Sequence, residues 1–277
     1  MVSNEALTPS TSLLTLRLGD DERPFAFVPG QYAAINFYQG ARPSAARCFS
    51  IVSSPTEAGL LQFSIRNGGH YTGALSRIMP GDDVAVRGPF GGFVFDQARD
   101  SEAVFLAGGI GITPFISMIR YLTKIEASNT VTLVYSCRNQ DDIPFVDELK
   151  RLSSVNPNFR VVFVIGQGAT DRLQGQLVTT GFISPELIDR VVRGMLVVKA
   201  FYICGPPPFM KGMAGNLHRQ GVPESHVLTE AFGQGANRQT GKIQSWPFNV
   251  YVLGAVSLAL AVSPTGSVPS SGCGRAL

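Results

Sequence analysis

A chain of 277 residues is long enough for two ordinary domains, and its 44% hydrophobic and 16% charged content excludes wholesale disorder. The formal net charge of +3 is small for this size. Lys and Arg are scattered, without basic blocks or interleaved aromatics, which argues against a nucleic-acid partner.

The opening MVSNEALTPS has no basic cluster followed by an apolar core, so no secretory or transit peptide is read and a cytoplasmic setting is expected. From Leu13 to about Phe95, short apolar runs are broken by Pro29-Gly30, Asn67-Gly68-Gly69 and Pro80-Gly81, the punctuation of a small antiparallel barrel. Leu61, Phe63 and Ile65 alternate with Gln62, Ser64 and Arg66, as a half-buried strand requires. Arg47-Cys48-Phe49-Ser50 opens another strand, with Arg47 and Phe49 on one face. That pair suits a pyrophosphate fork beside a planar ring, or equally a surface arginine beside a core phenylalanine. Thr72-Gly73-Ala74-Leu75-Ser76 is read as opening a short helix that Pro80-Gly81 closes. Its first turn would leave N–H groups free for a phosphate, with the Ser76 hydroxyl nearby; a capped surface helix is the plainer reading.

After Asp100 the pattern changes to apolar strands followed by helices: 103–107 then 114–122, 131–135 then 145–152, 161–165, and 196–203 then 209–217. Alternation of this kind implies a parallel sheet with crossovers, and places a boundary near 96–101. The domains are therefore expected at 1–98 and 99–233, with 234–277 as a tail. Gly108-Gly109-Ile110-Gly111-Ile112-Thr113-Pro114 follows the first of these strands; Thr113 is expected as N-cap and Pro114 as the first helical residue of a phosphate-binding turn. Ser136-Cys137-Arg138 ends the second strand, with Asp141 and Asp142 close behind. Cys204-Gly205-Pro206-Pro207-Pro208-Phe209-Met210 ends the last strand, where the prolines stiffen a turn and Gly205 leaves room for a flat ring.

The four cysteines, Cys48, Cys137, Cys204 and Cys273, have no cluster spacing, so neither a metal site nor an iron–sulfur centre is expected, and Cys48 and Cys137 read as free thiols. Segment 248–262 is apolar apart from Asn249 and Ser257 and is shorter than the roughly 20 residues that span a bilayer. With Trp246 and Tyr251 it reads as a membrane anchor on the cytoplasmic face, or as a packed or partner-binding helix.

R-C-F-S followed by G-A-L-S, then GGIGITP and CGPPPFM, in this order, resembles the ferredoxin–NADP reductase superfamily. The resemblance implies an α/β plus β chain: an antiparallel six-stranded FAD-binding barrel, then a Rossmann-like parallel-sheet NAD(P)-binding domain. It implies that Arg47 meets the FAD diphosphate, that Phe49 packs on the flavin where the family usually has tyrosine, and that Ser50 approaches the reacting edge. Ile65 and Arg66 would follow the ribityl chain, and Gly73, Ala74, Leu75 and Ser76 would hold the pyrophosphate. Gly109, Ile110, Gly111, Thr113 and Pro114 would take the dinucleotide phosphates. Ser136 and Arg138 would meet the adenosine ribose, with NADH or NADPH left open because Asp141 and Asp142 oppose a 2′-phosphate. Cys204, Gly205, Pro206, Pro207 and Met210 would lie near the nicotinamide, Phe232 would cover the flavin, and Glu230 would hydrogen-bond near the reacting edge. Ser50, Cys204 and Glu230 are thus the candidate catalytic residues. The implied activity is hydride transfer from NAD(P)H to FAD, then single electrons to a separate acceptor: ferredoxin-like, haem or an oxygenase component. The alternative is a non-catalytic FAD-binding electron-transfer or regulatory subunit.

Overall fold

The computed structural model describes residues 3–19, 25–39, 42–75, 78–192, 194–231 and 249–253. The hairpin β1 (Ser3–Thr8) and β2 (Thr11–Arg17) is extended by β6 (Leu60–Arg66), which lies antiparallel to β2. Across from it, β3 (Tyr32–Gln39) is flanked by β5 (Arg47–Ser50) and β7 (Val84–Phe90), with the two-residue β4 (Arg42–Pro43) at the margin. Alternating side chains point between these sheets, and Leu14, Leu16, Ile35, Phe37, Leu61, Phe63, Val84 and Val86 form the barrel core. A single six-residue helix, α1 (His70–Leu75), follows β6.

The second half is a six-stranded parallel sheet of β8 (Glu102–Gly108), β9 (Thr130–Cys137), β10 (Phe159–Ile165), β11 (Leu177–Thr180), β12 (Ala200–Gly205) and β13 (Val227–Ala231). The spatial order is β11-β10-β9-β8-β12-β13, so the chain reverses direction across the sheet between β8 and β12. In open α/β sheets the crevice at such a reversal, at the carboxyl ends of the strands, is where ligands bind. Both faces are covered by helices, α2 (Thr113–Lys124), α3 (Val146–Val155), α4 (Pro185–Val191) and α5 (Pro207–Arg219), and the strands accordingly read as near-continuous apolar runs.

One face of this sheet does not stop at the domain boundary. Leu13, Val52 and Phe93 from the barrel half belong to the same buried cluster as Phe105, Phe115, Met118, Tyr135 and Tyr202. The linker is also held by polar contacts: Tyr202 donates to Asp100 at 2.5 Å, and Arg99 grips the same carboxylate at 2.6 and 2.7 Å.

Two expectations change. The run 196–203 is not one strand: Leu196–Val198 is a 3-10 turn with Val197 and Val198 exposed, and extension begins at Ala200. Within the apolar stretch 248–262, residues Asn249–Leu253 form β14, antiparallel to β7 with Asn249 opposite Gly88. These five residues are a strand where composition read a helix or membrane anchor, and the rest of that stretch, 248 and 254–262, lies outside the described residues. No helix among the described residues is long and apolar enough to cross a membrane.

Candidate functional site

The ends of β8 and β12 meet at the switch point. After Gly108 the chain enters a 3-10 turn, Gly109–Ile112, begun by Gly109 at φ +54°, and runs without interruption into α2. Thr113 is therefore already helical and is not the N-cap; its hydroxyl donates to the Ile110 carbonyl at 3.1 Å. Pro114 becomes the second helical residue, and both are buried. A Cβ at Gly111 would stand 2.3 Å from the Cys204 carbonyl oxygen, and one at Gly205 would stand 2.8 Å from the Phe209 ring and 3.1 Å from Gly108 Cα. Gly111 and Gly205 thus let two backbones touch, and the room expected at Gly205 is taken by Phe209 and Gly108. Gly109 is different: the nearest group to a Cβ there is the Arg66 guanidinium at 3.7 Å. Ile110 is partly exposed beside it.

Pro206 and Pro207 are exposed at the start of α5. Met210 is not in the cleft. It sits one turn into α5, on the side facing the sheet, and is buried with Leu106 and Ile203.

The parallel register sets Cys204 opposite Glu230. Cys204 is fully buried within the core cluster, and burial, reinforced by the Glu230 charge, pushes its thiol well above the ordinary range. Glu230 reaches toward the barrel, its Oε1 lying 3.7 Å from a Cβ built on Gly91, where the Tyr32 ring also packs. Burial lifts the Glu230 pKa to about 7, and its Oε2 is enclosed with no hydrogen-bond partner among the described residues. Tyr32 pairs with Ser50 across β3 and β5, and the Ser50 hydroxyl is likewise enclosed and unpaired. A line of groups, Ser50, Tyr32, Glu230 and Cys204, therefore connects the barrel to the sheet. Tyr32 had no signal beyond its place after the Pro29-Gly30 turn.

Arg47 is exposed, and its guanidinium lies over the Tyr71 ring at 5.6 Å. Phe49 stacks on the same ring, with centroids 6.5 Å apart and planes at 21°. Tyr71 donates its hydroxyl hydrogen to the Ile35 carbonyl at 2.8 Å, which fixes it between the two. In the sequence, Tyr71 is marked only by its adjacency to Thr72-Gly73. The helix itself starts earlier than expected. Thr72 Oγ1 accepts from the Gly68 and Gly69 N–H groups at 3.1 and 3.0 Å, so α1 begins at His70. Gly73 lies inside it with its own N–H bonded to the Gly69 carbonyl at 2.8 Å, so that N–H is already engaged, and Ala74 and Leu75 end it. Ser76 and Phe232 lie outside the described residues.

Ile65 is buried in the barrel core. Arg66, its neighbour, crosses to the second half and pairs with Asp142 at 3.2 Å. Asp142 also accepts from Thr8 at 2.7 Å and Ser10 at 2.5 Å. Burial raises its pKa, but the hydrogen bonds from Ser10 and Thr8, then the charges of Arg66 and Arg138, outweigh that and hold the carboxyl below its ordinary value. Asp141 pairs with Arg172 at 3.6 Å. The two acids expected to oppose a 2′-phosphate at Arg138 are therefore both engaged with other cations. Arg138 is exposed and has no ion pair within 4 Å among the described residues, while Ser136 stands opposite Gly108.

An antiparallel barrel fused to a parallel sheet, with paired glycine turns at the switch point and a half-buried carboxylate at the junction, defines a two-domain oxidoreductase that binds FAD and a nicotinamide dinucleotide. Profiles of known domains agree: the Oxidoreductase FAD-binding domain matches residues 1–95 and the Oxidoreductase NAD-binding domain matches 105–215. The chain belongs to the ferredoxin–NADP reductase superfamily, joining an oxidoreductase FAD-binding domain to an oxidoreductase NAD-binding domain. It is 26% identical over 233 residues to the reductase component of propane 2-monooxygenase from Mycolicibacterium smegmatis, covering 82% of this chain and 66% of that protein. It is 31% identical over 218 residues to the flavohemoprotein of Bordetella pertussis, covering 76% and 54%. The chain thus spans less than two thirds of the length of these relatives. Its fold matches the cytochrome b5 reductase domain of Ulva prolifera nitrate reductase with a TM-score of 0.72 at 19% identity, covering 83% of this chain and 95% of that one.

Proposed function

We propose that the chain takes hydride from NADH or NADPH onto FAD and passes the electrons singly to a separate acceptor protein carrying an iron–sulfur centre or haem. The observation that carries this reading is the junction of Glu230 with Tyr32 and Gly91, which joins the end of the nucleotide-binding sheet to the barrel strand paired with Ser50. Bound FAD supplies the chemistry, accepting two electrons as hydride and releasing them one at a time.

The residues present fit such a ligand. Ser50 Oγ and Glu230 Oε2 are enclosed polar atoms in need of a partner, which a flavin's hydrogen-bonding edge provides. Arg47 is free to fork onto a diphosphate, and Phe49 with Tyr71 offers a stacking wall. At the switch point, Gly109 leaves an open approach beside Arg66 for the dinucleotide phosphates, and Arg138 with Ser136 faces the adenosine end. Glu230, with a pKa near 7, exchanges a proton at its carboxylate close to neutral pH, which suits a group beside a centre that gains and loses charge. Cys204 is assigned a positioning role, because its thiol is buried and its carbonyl packs directly against the Gly111 turn.

Residues 1–98 are taken as the flavin unit, 99–233 as the nucleotide unit and 234–277 as a tail. The propane monooxygenase reductase component and the flavohemoprotein support an oxygenase or haem acceptor. The free thiols of Cys48, Cys137 and Cys204 fit a reducing, cytoplasmic setting. Membrane attachment is not carried into the proposal, since 249–253 is a strand on the barrel. The test is to mix the FAD-loaded protein anaerobically with NADH or NADPH and follow flavin absorbance. Bleaching is expected, the faster donor identifying the physiological one, and no bleaching with either would sink the reading.

A further inference from the structure

Helix α2 starts at the Gly109–Ile112 turn, and its first two turns are fastened to the barrel. Ser117, fully buried, donates to the Ser53 carbonyl at 2.7 Å. One turn further, Arg120 has its side chain only 12% exposed and uses every face of its guanidinium. Nε and Nη2 form a fork on Glu148 of α3 at 2.6 and 2.9 Å, while Nη1 donates to Gln62 of β6 at 2.7 Å and to the Val52 carbonyl at 3.3 Å, with Glu57 at 3.7 Å. The Phe145 ring lies beneath at 5.9 Å.

The barrel segment so gripped, residues 52–53, begins two residues after Ser50, the end of the strand that carries Arg47 and Phe49. It is locked into the barrel by its own bonds: Val52 N–H donates to the Gln62 carbonyl at 2.8 Å, and the Ser53 hydroxyl accepts from Gln62 N–H at 3.2 Å. With a rise of about 1.5 Å per residue, Ser117 and Arg120 lie roughly 6 and 10 Å along the axis from Thr113. One short rigid lever therefore runs from the flavin strand, through 52–53 and α2, to the turn that would receive the dinucleotide.

We propose that Arg120 and Ser117 are positioning residues, which set the distance between the nicotinamide-binding turn and the flavin-binding strand and so govern the rate of hydride transfer. This rests on the reductase reading above. Stability alone does not call for this construction, since a buried ion pair is often matched by apolar packing of equal volume. A planar fork that bonds three separate elements at once fixes their mutual geometry, and a lysine cannot reproduce it. Reaction between bound partners needs atoms at about 3–3.5 Å, and a displacement of about 1 Å can cost on the order of a hundredfold in rate.

The test uses Arg120→Met, Arg120→Lys and Ser117→Ala in the full chain loaded with FAD. Flavin reduction at saturating donor is measured by stopped flow, donor affinity by its concentration dependence, and amide exchange of residues 51–54 and 108–113 on the cofactor-free chain. Arg120→Met is expected to slow reduction about tenfold with donor affinity within about twofold of wild type, and to speed exchange in both segments together. Arg120→Lys should resemble Arg120→Met, because the fork and not the charge is what matters. Should Arg120→Met not fold, Ser117→Ala, which leaves the arginine contacts intact, carries the test with about threefold slowing. Variants that lose thermal stability while reducing flavin at the wild-type rate overturn the positioning role. A wild type that neither donor bleaches overturns the reductase reading, and this inference with it.

Discussion

Glu230 stands opposite Cys204 in the parallel register of β12 and β13, close enough for its charge to add to the thiol's burial. Its own carboxyl, ordinarily at 4.5, is raised to about 7 by burial with no hydrogen bond to Oε2. Between those two values the folded state holds a proton that the unfolded chain has released, so this group's contribution is present below pH 4.5 and is lost as pH rises through about 7. At about 1.4 kcal/mol for each tenfold change in proton concentration, the penalty reaches about 3 kcal/mol above neutrality. Glu230→Gln should therefore be more stable than wild type at pH 8 and nearly equal at pH 4, measured by urea unfolding of both proteins. A constant difference across that range would refute the assignment.

Arg47→Ala is expected to weaken FAD binding tenfold to a hundredfold, since a hydrogen bond to a charged group contributes about 1.5–3 kcal/mol. The exposed guanidinium makes little difference to folding, so the melting temperature of the cofactor-free protein should barely change. Fluorescence titration of that protein with FAD measures the effect, and equal dissociation constants would remove Arg47 from the site.

Asp142 and Arg66 form one ion pair, yet their removal should have unequal consequences. Arg66 is 53% exposed on its side chain, and Arg66→Ala should cost less than about 1 kcal/mol. Asp142→Ala strips an acceptor from Thr8 and Ser10 as well as the partner of Arg66, and about 2 kcal/mol is expected. Denaturant midpoints for the two single variants decide this, and equal losses would contradict it.

Gly111→Ala should damage both cofactor turns together. Its Cβ would stand 2.3 Å from a backbone oxygen of Cys204, which no side-chain rotation relieves, whereas Gly92→Ala meets nothing within 4 Å. The expected result is a loss of several kcal/mol for the first and under about 1 kcal/mol for the second. Comparable thermal melts for the two variants would show that the turns are not in contact.

The alternation of sheet strands with helices was legible because buried parallel strands are apolar on both faces, and the glycine turns stood at their ends. Direction within a helix was harder to read: Met210 belongs to the CGPPPFM motif, but a motif does not say which side of α5 faces the core. The alternation of Leu61, Phe63 and Ile65 did place Ile65 on the apolar face of β6, where the structure buries it. The start of α1 was misplaced because Thr72 caps it from inside, reaching back to Gly68 and Gly69, where a capping residue is ordinarily sought outside the helix. Leu196–Val198 looked like a strand because composition cannot distinguish an exposed apolar turn from a buried run. Tyr32 and Tyr71 are placed by tertiary contacts, marked in the sequence only by the neighbouring Pro29-Gly30 and Thr72-Gly73, and the seven-residue α4 and four-residue β11 are too short to show a period.

Leu13, Val52 and Phe93 are buried against Phe105, Phe115 and Tyr202, so the flavin half and the nucleotide half share hydrophobic surface that neither can cover by itself. Severed near residue 98, each fragment would show water an oily flank and tend to aggregate. Left whole, the chain should lose both halves in a single calorimetric peak with or without its cofactors, and ligand bound to either half should move that peak for the entire molecule.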